Sequence, residues 1–149
     1  MRAVVQRVRE ASVTVADRTT GSIGHGLLVL LSVGQDDTAA DGGYMIDKLA
    51  GLRIFPDEAA RMDRDVRQAG GAVLLVSQFT LHGDVRRGKR PAFTAAMAPV
   101  AAARLIDAVA VGLRATGLQV AEGEFGADMQ VRSCNDGPVT ILLDSKKLF

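Results

Sequence analysis

A chain of 149 residues suits one domain, in which roughly two-thirds of the unfolded surface becomes buried. Although 48% of it is hydrophobic, no run approaches the ~18 apolar residues of a membrane span, and a single cysteine, Cys134, excludes an internal disulfide and leaves no thiolate cluster for a metal. Eighteen basic and seventeen acidic residues give a net charge of +1, which excludes global attraction to nucleic acid, so RNA contacts require a local patch.

Met1-Arg2 leads into an alternating pattern rather than an apolar signal segment, so a cytoplasmic location is expected. Between Arg2 and Val15 the pattern reads as two strands, with Val4 and Val8 on one side of the first and Ala11, Val13 and Val15 on one side of the second. Gly24-His25-Gly26 breaks the chain before the apolar run Leu27 to Val33, which predicts a buried central strand. Asp36-Asp37-Thr38 offers N-caps for a helix through about Leu52, with Met45, Leu49 and Leu52 on one face and Gly42-Gly43 weakening its first turns.

Arg53 to Phe55 and Ala72 to Phe79 predict strands, separated by a loop or short hairpin from Pro56 to Gly71. Pro99 suits the first turn of a helix reaching about Thr116, with Gly117 as its C′ residue. That helix is apolar nearly all round, with Gly112 as its weak point, which implies packing against both a sheet and something else. Leu118 to Glu122, Met129 to Ser133 and Val139 to Leu143 read as three strands, the last two joined at Asn135-Asp136-Gly137-Pro138. Without repeats or linkers, the whole chain 1–149 forms one α/β domain.

Three segments offer chemistry. Ser77-Gln78-Phe79-Thr80-Leu81 follows a buried strand abruptly, a place where backbone amides and side chains are fixed by the sheet yet open to ligand; the plainer reading is a strand leaving the core. Asn135 to Thr140 reads as a hairpin turn, except that Pro138 removes a donor where the next strand should start pairing. Arg86, Arg87, Lys89 and Arg90 form a loop able to grip phosphates, or a solvated surface run. Ser77 or Thr80 with His82 is the only local nucleophile and base, and extended backbone would put Thr80 and His82 on one face; yet neither a glycine elbow nor a third orienting group is present.

Taken in order, these segments resemble the D-aminoacyl-tRNA deacylase family nearly end to end. The likeness runs through Met1-Arg2-Ala3-Val4-Val5-Gln6-Arg7-Val8, Leu52-Arg53-Ile54-Phe55, Gly88-Lys89-Arg90-Pro91-Ala92-Phe93 and Phe125-Gly126-Ala127-Asp128-Met129. Its two signature motifs are Val76-Ser77-Gln78-Phe79-Thr80-Leu81 and Asn135-Asp136-Gly137-Pro138-Val139-Thr140.

The resemblance implies a compact fold of mixed, mostly antiparallel sheets with two main helices, working as a homodimer on the 3′ end of aminoacylated tRNA. It implies no metal, no cofactor, no membrane and no DNA. Ser77, Gln78, Phe79 and Thr80 would line each pocket, Phe125, Ala127 and Met129 its neighbouring wall. Gly137 and Pro138, joined in cis, would enter it from the partner, braced by Arg7 and Asn135. Their immovable carbonyls would exclude the Cβ of an L-residue and admit a D-residue or glycine, including glycine mischarged on alanine tRNA. The ribose 2′-hydroxyl would assist, with amides near Phe79 and Thr80 holding the developing oxyanion; an older reading makes Thr80 a nucleophile. His82 and Asp63 depart from the aromatic and asparagine common in relatives. Rival expectations are a Ser/Thr esterase of small-molecule esters and a non-catalytic dimeric RNA-binding module.

Overall fold

The computed structural model describes residues 1–148. Its spine is a pair of long antiparallel strands, β1 (Arg2–Val15) and β8 (Gln130–Asp144). The other edge of β1 is shared by β3 (Gly26–Ser32), opposite Arg2 to Val8, and β2 (Arg18–Ile23), opposite Ala11 to Val15. Beyond β3 the sheet continues in parallel through β6 (Ala72–Ser77) and β7 (Val120–Glu122). A separate hairpin joins β4 (Phe55–Pro56) to β5 (Met62–Arg64). Antiparallel pairing dominates, as expected.

The sheet curls until β2 meets β7: a Cβ on Gly21 would lie 2.3 Å from the Glu122 carbonyl oxygen, so only glycine fits there. Helices α1 (Ala39–Gly51) and α2 (Pro99–Ala115) cover one face, where Met45, Leu49, Ile106, Val109 and Leu113 share a core with Ala3, Val5, Val29, Leu31 and Leu75 of the strands. The opposite face gathers a smaller core of Val8, Ala11, Val13, Leu28, Leu74 and Val76.

Several sequence expectations hold and several need correction. Thr38 caps α1 through a reciprocal capping box with Asp41, α2 starts at Pro99, and Gly117 follows its end with φ 89°. Arg2 to Val15, however, is one strand. Pairing with β8 slips between Gln6 and Val8 and again between Val8 and Glu10, and Val8 and Ala11, three residues apart, both join the core on the second face, so the alternation shifts by one between them. Val4 is only partly buried.

The two strands expected from Met129 to Ser133 and Val139 to Leu143 are likewise one, Gln130–Asp144, not two around a hairpin turn. In its register Gln6 faces Thr140 and Val8 faces Asn135, leaving Arg7 alone opposite Asp136 to Val139. The turn-forming residues are a bulge within the strand. The strand expected from Ala72 to Phe79 stops at Ser77, and that from Arg53 to Phe55 is shifted to Phe55–Pro56. The segment Arg18 to Ile23, not expected as a strand, becomes β2.

In α2 the outward face stays open within the single chain, with Val100 72% and Val111 63% exposed. Gly112 is a contact point: a Cβ there would lie 2.2 Å from Ile46 Cδ1, so the absent side chain lets the helices approach.

Candidate active site

At the end of β6 the Gln78 amide donates to the Leu31 carbonyl at 2.8 Å, and the chain then tightens into a 3-10 turn, Phe79–His82. The turn's bonds begin with Leu81 donating to Gln78, so the amides of Phe79 and Thr80, which open it, have no acceptor inside it. Gln78 Nε2 donates to Thr80 Oγ1 at 2.5 Å. Phe79 stands 57% exposed, edge-on to Phe93 with ring centroids 4.9 Å apart.

This turn does not place Thr80 and His82 side by side on an extended strand. His82 Nδ1 lies 2.6 Å from Ser32 Oγ, and burial, aided by the nearby charge of Arg2, holds its pKa below the usual value. The imidazole is therefore bonded to Ser32, not to Ser77 or Thr80, which removes the basis of a local nucleophile and base pair. Among the described residues no group of three His, Cys, Asp or Glu side chains converges to hold a metal ion.

Ser77, Gln78 and Phe79 border a cleft of ≈ 630 Å³, whereas Thr80, expected on its lining with them, is not among the residues that line it. Phe125, Ala127 and Met129 form another of its walls, within a loop turned by Ala127 donating to the Glu124 carbonyl at 3.2 Å. Gly123 lets that loop fold close, since a Cβ there would lie 2.7 Å from Met129 Sδ. A third wall, unforeseen in the sequence, comes from Met97, Pro99, Ala102 and Ile106 at the start of α2. Their apolar spacing read as core, and only the abrupt Pro99 start marked that helix end as close to a loop-built site. Among the described residues Asp128 is the one ionisable side chain on the lining, so the cleft is nearly neutral.

Gly137 and Pro138 are exposed and do not line this cleft of their own chain. Their peptide bond is cis and Gly137 has φ 135°. The bulge that carries them is tied at its base. Arg7 Nε donates to the Asp136 carbonyl at 3.0 Å and Arg7 Nη1 to the Ile54 carbonyl at 2.6 Å. Asn135 Oδ1 accepts from the Val139 amide at 2.9 Å, while its Nδ2 donates to Thr140 Oγ1 at 3.0 Å. A hydrogen bond from Arg9 and the charges of Arg9 and Arg7 hold the Asp136 carboxyl below the usual carboxylate range.

The basic loop projects as a small hairpin, closed by Asp84 and Ala92 bonding to each other's backbone at 2.8 and 2.9 Å. Arg86 is spent locally: it holds Asp84 at 2.7 Å, which brings that carboxyl down to about 2. Arg87, Lys89 and Arg90 are exposed and, among the described residues, have no carboxylate partner.

Residues 4–144 match the family model described as D-Tyr-tRNA(Tyr) deacylase. Over 149 residues and the full length of both chains, the protein is 58% identical to a D-aminoacyl-tRNA deacylase of Koribacter versatilis and 55% identical to one of Thermotoga petrophila. Its fold superposes with a TM-score of 0.91 on a solved structure titled c-Myc DNA Unwinding Element Binding Protein, 41% identical, covering 97% of this chain and 98% of that one. A probable eukaryotic D-amino acid tRNA deacylase, 18% identical, shares the fold at a TM-score of 0.85 over 95% of this chain and 97% of that one. By a family match across nearly its whole length and by relatives this similar, the chain belongs to the D-aminoacyl-tRNA deacylase family.

Proposed function

We propose that this protein hydrolyses the ester joining a D-amino acid to the 3′ end of tRNA, as a cytoplasmic homodimer that proofreads chirality. The observation that carries the reading is the Phe79–His82 turn, whose two leading amides lack acceptors within it beside a nearly neutral cleft. Such amides suit an ester carbonyl whose oxygen gains negative charge as water adds. The bond from the carbonyl carbon to the ribose 3′ oxygen then breaks, that oxygen takes a proton, and the amino acid leaves. Because His82 is engaged with Ser32, proton handling is assigned to the neighbouring ribose 2′-hydroxyl, already placed beside the carbonyl.

Discrimination is assigned to the main chain of Gly137-Pro138, lent by a second copy. The exposure of these residues, their absence from their own cleft's lining and the bracing of their base by Arg7 and Asn135 support that role. A rigid main-chain wall leaves room for hydrogen where an L-residue carries Cβ, so glycine passes, including glycine mischarged on alanine tRNA. Arg87, Lys89 and Arg90 would meet phosphates of the RNA.

The deciding experiment compares D-, L- and glycyl esters on one tRNA. Rapid release of D-residues and glycine with L-ester left intact supports the reading; equal rates for both mirror forms overturn the wall. A terminal 2′-deoxyadenosine should abolish turnover while Thr80→Ala keeps most of it, and the reverse pattern would return the reaction to Thr80 as nucleophile.

A further inference from the structure

The far end of the turn meets an arrangement of charge that bears on its geometry. Arg2 Nε donates to Asp144 Oδ2 at 3.1 Å, and Arg2 Nη1 donates to the Leu81 carbonyl at 3.1 Å. Asp144 is buried, its side chain 2% exposed, and its second oxygen accepts the Lys146 amide at 2.7 Å. Arg2 and Asp144 face each other in the register of β1 and β8, so the main chain of the two longest strands sets their approach. Ser32 Oγ, in turn, meets His82 Nδ1 at 2.6 Å and the Phe79 carbonyl at 3.4 Å. The turn is clamped at both ends, and Arg2 takes the carbonyl one residue past Thr80.

We propose that Arg2, backed by Asp144, is a positioning residue for deacylation: it fixes the Leu81 carbonyl and with it the direction in which the Phe79 and Thr80 amides face the ester. The inference rests on reading those amides as the holders of the ester carbonyl. A partly exposed 3-10 turn has weak internal bonds, and amides that must meet a developing oxyanion lose effect when they drift by a fraction of an ångström. A planar guanidinium reaching two acceptors at once removes that freedom, whereas a lysine ammonium on a flexible stem does so less well.

Arg2→Met alone strands a buried carboxylate and so perturbs folding as well as the turn. The double variant Arg2→Met with Asp144→Asn removes both charges and keeps an acceptor for the Lys146 amide. The expected result is a kcat for D-aminoacyl-tRNA lowered about tenfold in both, with KM within about twofold and the melting temperature recovered in the double variant. Arg2→Lys should fall between the wild type and Arg2→Met. Recovery of kcat together with the melting temperature in the double variant would make the pair a structural staple only and overturn the proposal.

A second comparison separates this outcome from failure of the underlying reading. Gln78 has φ −146° and ψ 74°, a conformation open to a residue preceding proline, so Phe79→Pro deletes an amide at little backbone cost. If Phe79→Pro is no worse than Phe79→Ala, the amides do not hold the ester and the reading itself falls. If Phe79→Pro collapses turnover while the Arg2 and Asp144 double variant is as active as wild type, only the role of Arg2 falls.

Discussion

The two motif segments hang on the same strand by the same chemistry but are presented in opposite ways. Near one end of β1, Arg2 donates to the Leu81 carbonyl; five residues on, Arg7 donates to the Asp136 carbonyl. The Ser77 to Leu81 segment is thereby held with Ser77, Gln78 and Phe79 on the cleft of its own chain, whereas Gly137 and Pro138 are held at the base and left exposed at the tip. Rigidity alone does not tell the two roles apart. What does is the company each keeps: Ser77, Gln78 and Phe79 border a cleft of their own chain, whereas Gly137 and Pro138 are braced from behind and exposed in front, as a segment proposed to serve a second copy would be.

The largest effect that tests this contrast is expected from Phe79→Pro, which should lower kcat about 10²- to 10³-fold, the cost of one lost oxyanion donor. That inert protein still carries an intact Gly137-Pro138 segment. Gly137→Ala, whose Cβ would lie 2.7 Å from Val139 Cγ2 at φ 135°, should displace the segment and admit L-esters. Exchanging subunits with an excess of the Phe79→Pro protein should restore D-selectivity to it. Unrestored selectivity after verified exchange would mean that each loop serves its own cleft.

Next in size is Arg7→Leu, which leaves the Asp136 and Ile54 carbonyls without their donor. It should destabilise the fold by about 1–3 kcal/mol in denaturant unfolding, and widen the range of accepted esters more than it slows D-ester turnover. A matched loss of both activities would place Arg7 in general folding instead. Replacing Arg87, Lys89 and Arg90 by glutamine should weaken tRNA binding and flatten its salt dependence by a slope of up to about 3, read from affinities over a salt series. Arg86→Gln should do far less, because that charge already serves Asp84.

The smallest expected effect concerns pH. The folded state holds the His82 pKa below the usual 6.5, so between those two values the unfolded chain binds more protons and stability rises with pH. Unfolding free energy should therefore decline as pH falls below about 6.5, a slope that His82→Gln should reduce. Turnover between pH 7 and 8 should show no step traceable to this imidazole, which is already neutral there.

Local signals were legible where one period ran uninterrupted between clear stops. The central strand β3, the Thr38 cap of α1, and the Pro99 start and Gly117 end of α2 were all readable for that reason. The long strands were not, because a bulge resets the alternation of burial, so Val8 and Ala11, an odd number of residues apart, share one face and one strand looks like two. Asn135 to Pro138 misled in the same way: residues that usually reverse a chain here bow it outward and let it resume pairing. Within the site, the segments Ser77 to Phe79 and Phe125 to Met129, which border the cleft, were singled out through motif likeness. The α2 wall and the Arg2 and Ser32 clamps were not, since contacts between residues dozens of positions apart leave no periodic trace.

Gly112 sets where α2 pivots against Ile46, and the same rigid rod ends roughly 20 Å away, at ~1.5 Å per residue, in the Pro99 wall of the cleft. A methyl group there would press on the end of the Ile46 side chain, and if the helix rather than that side chain gave way, a swing of only about 3° would move its far end by about 1 Å. A residue without a side chain near one end of a helix thus bears on the packing that carries the cleft wall at the other.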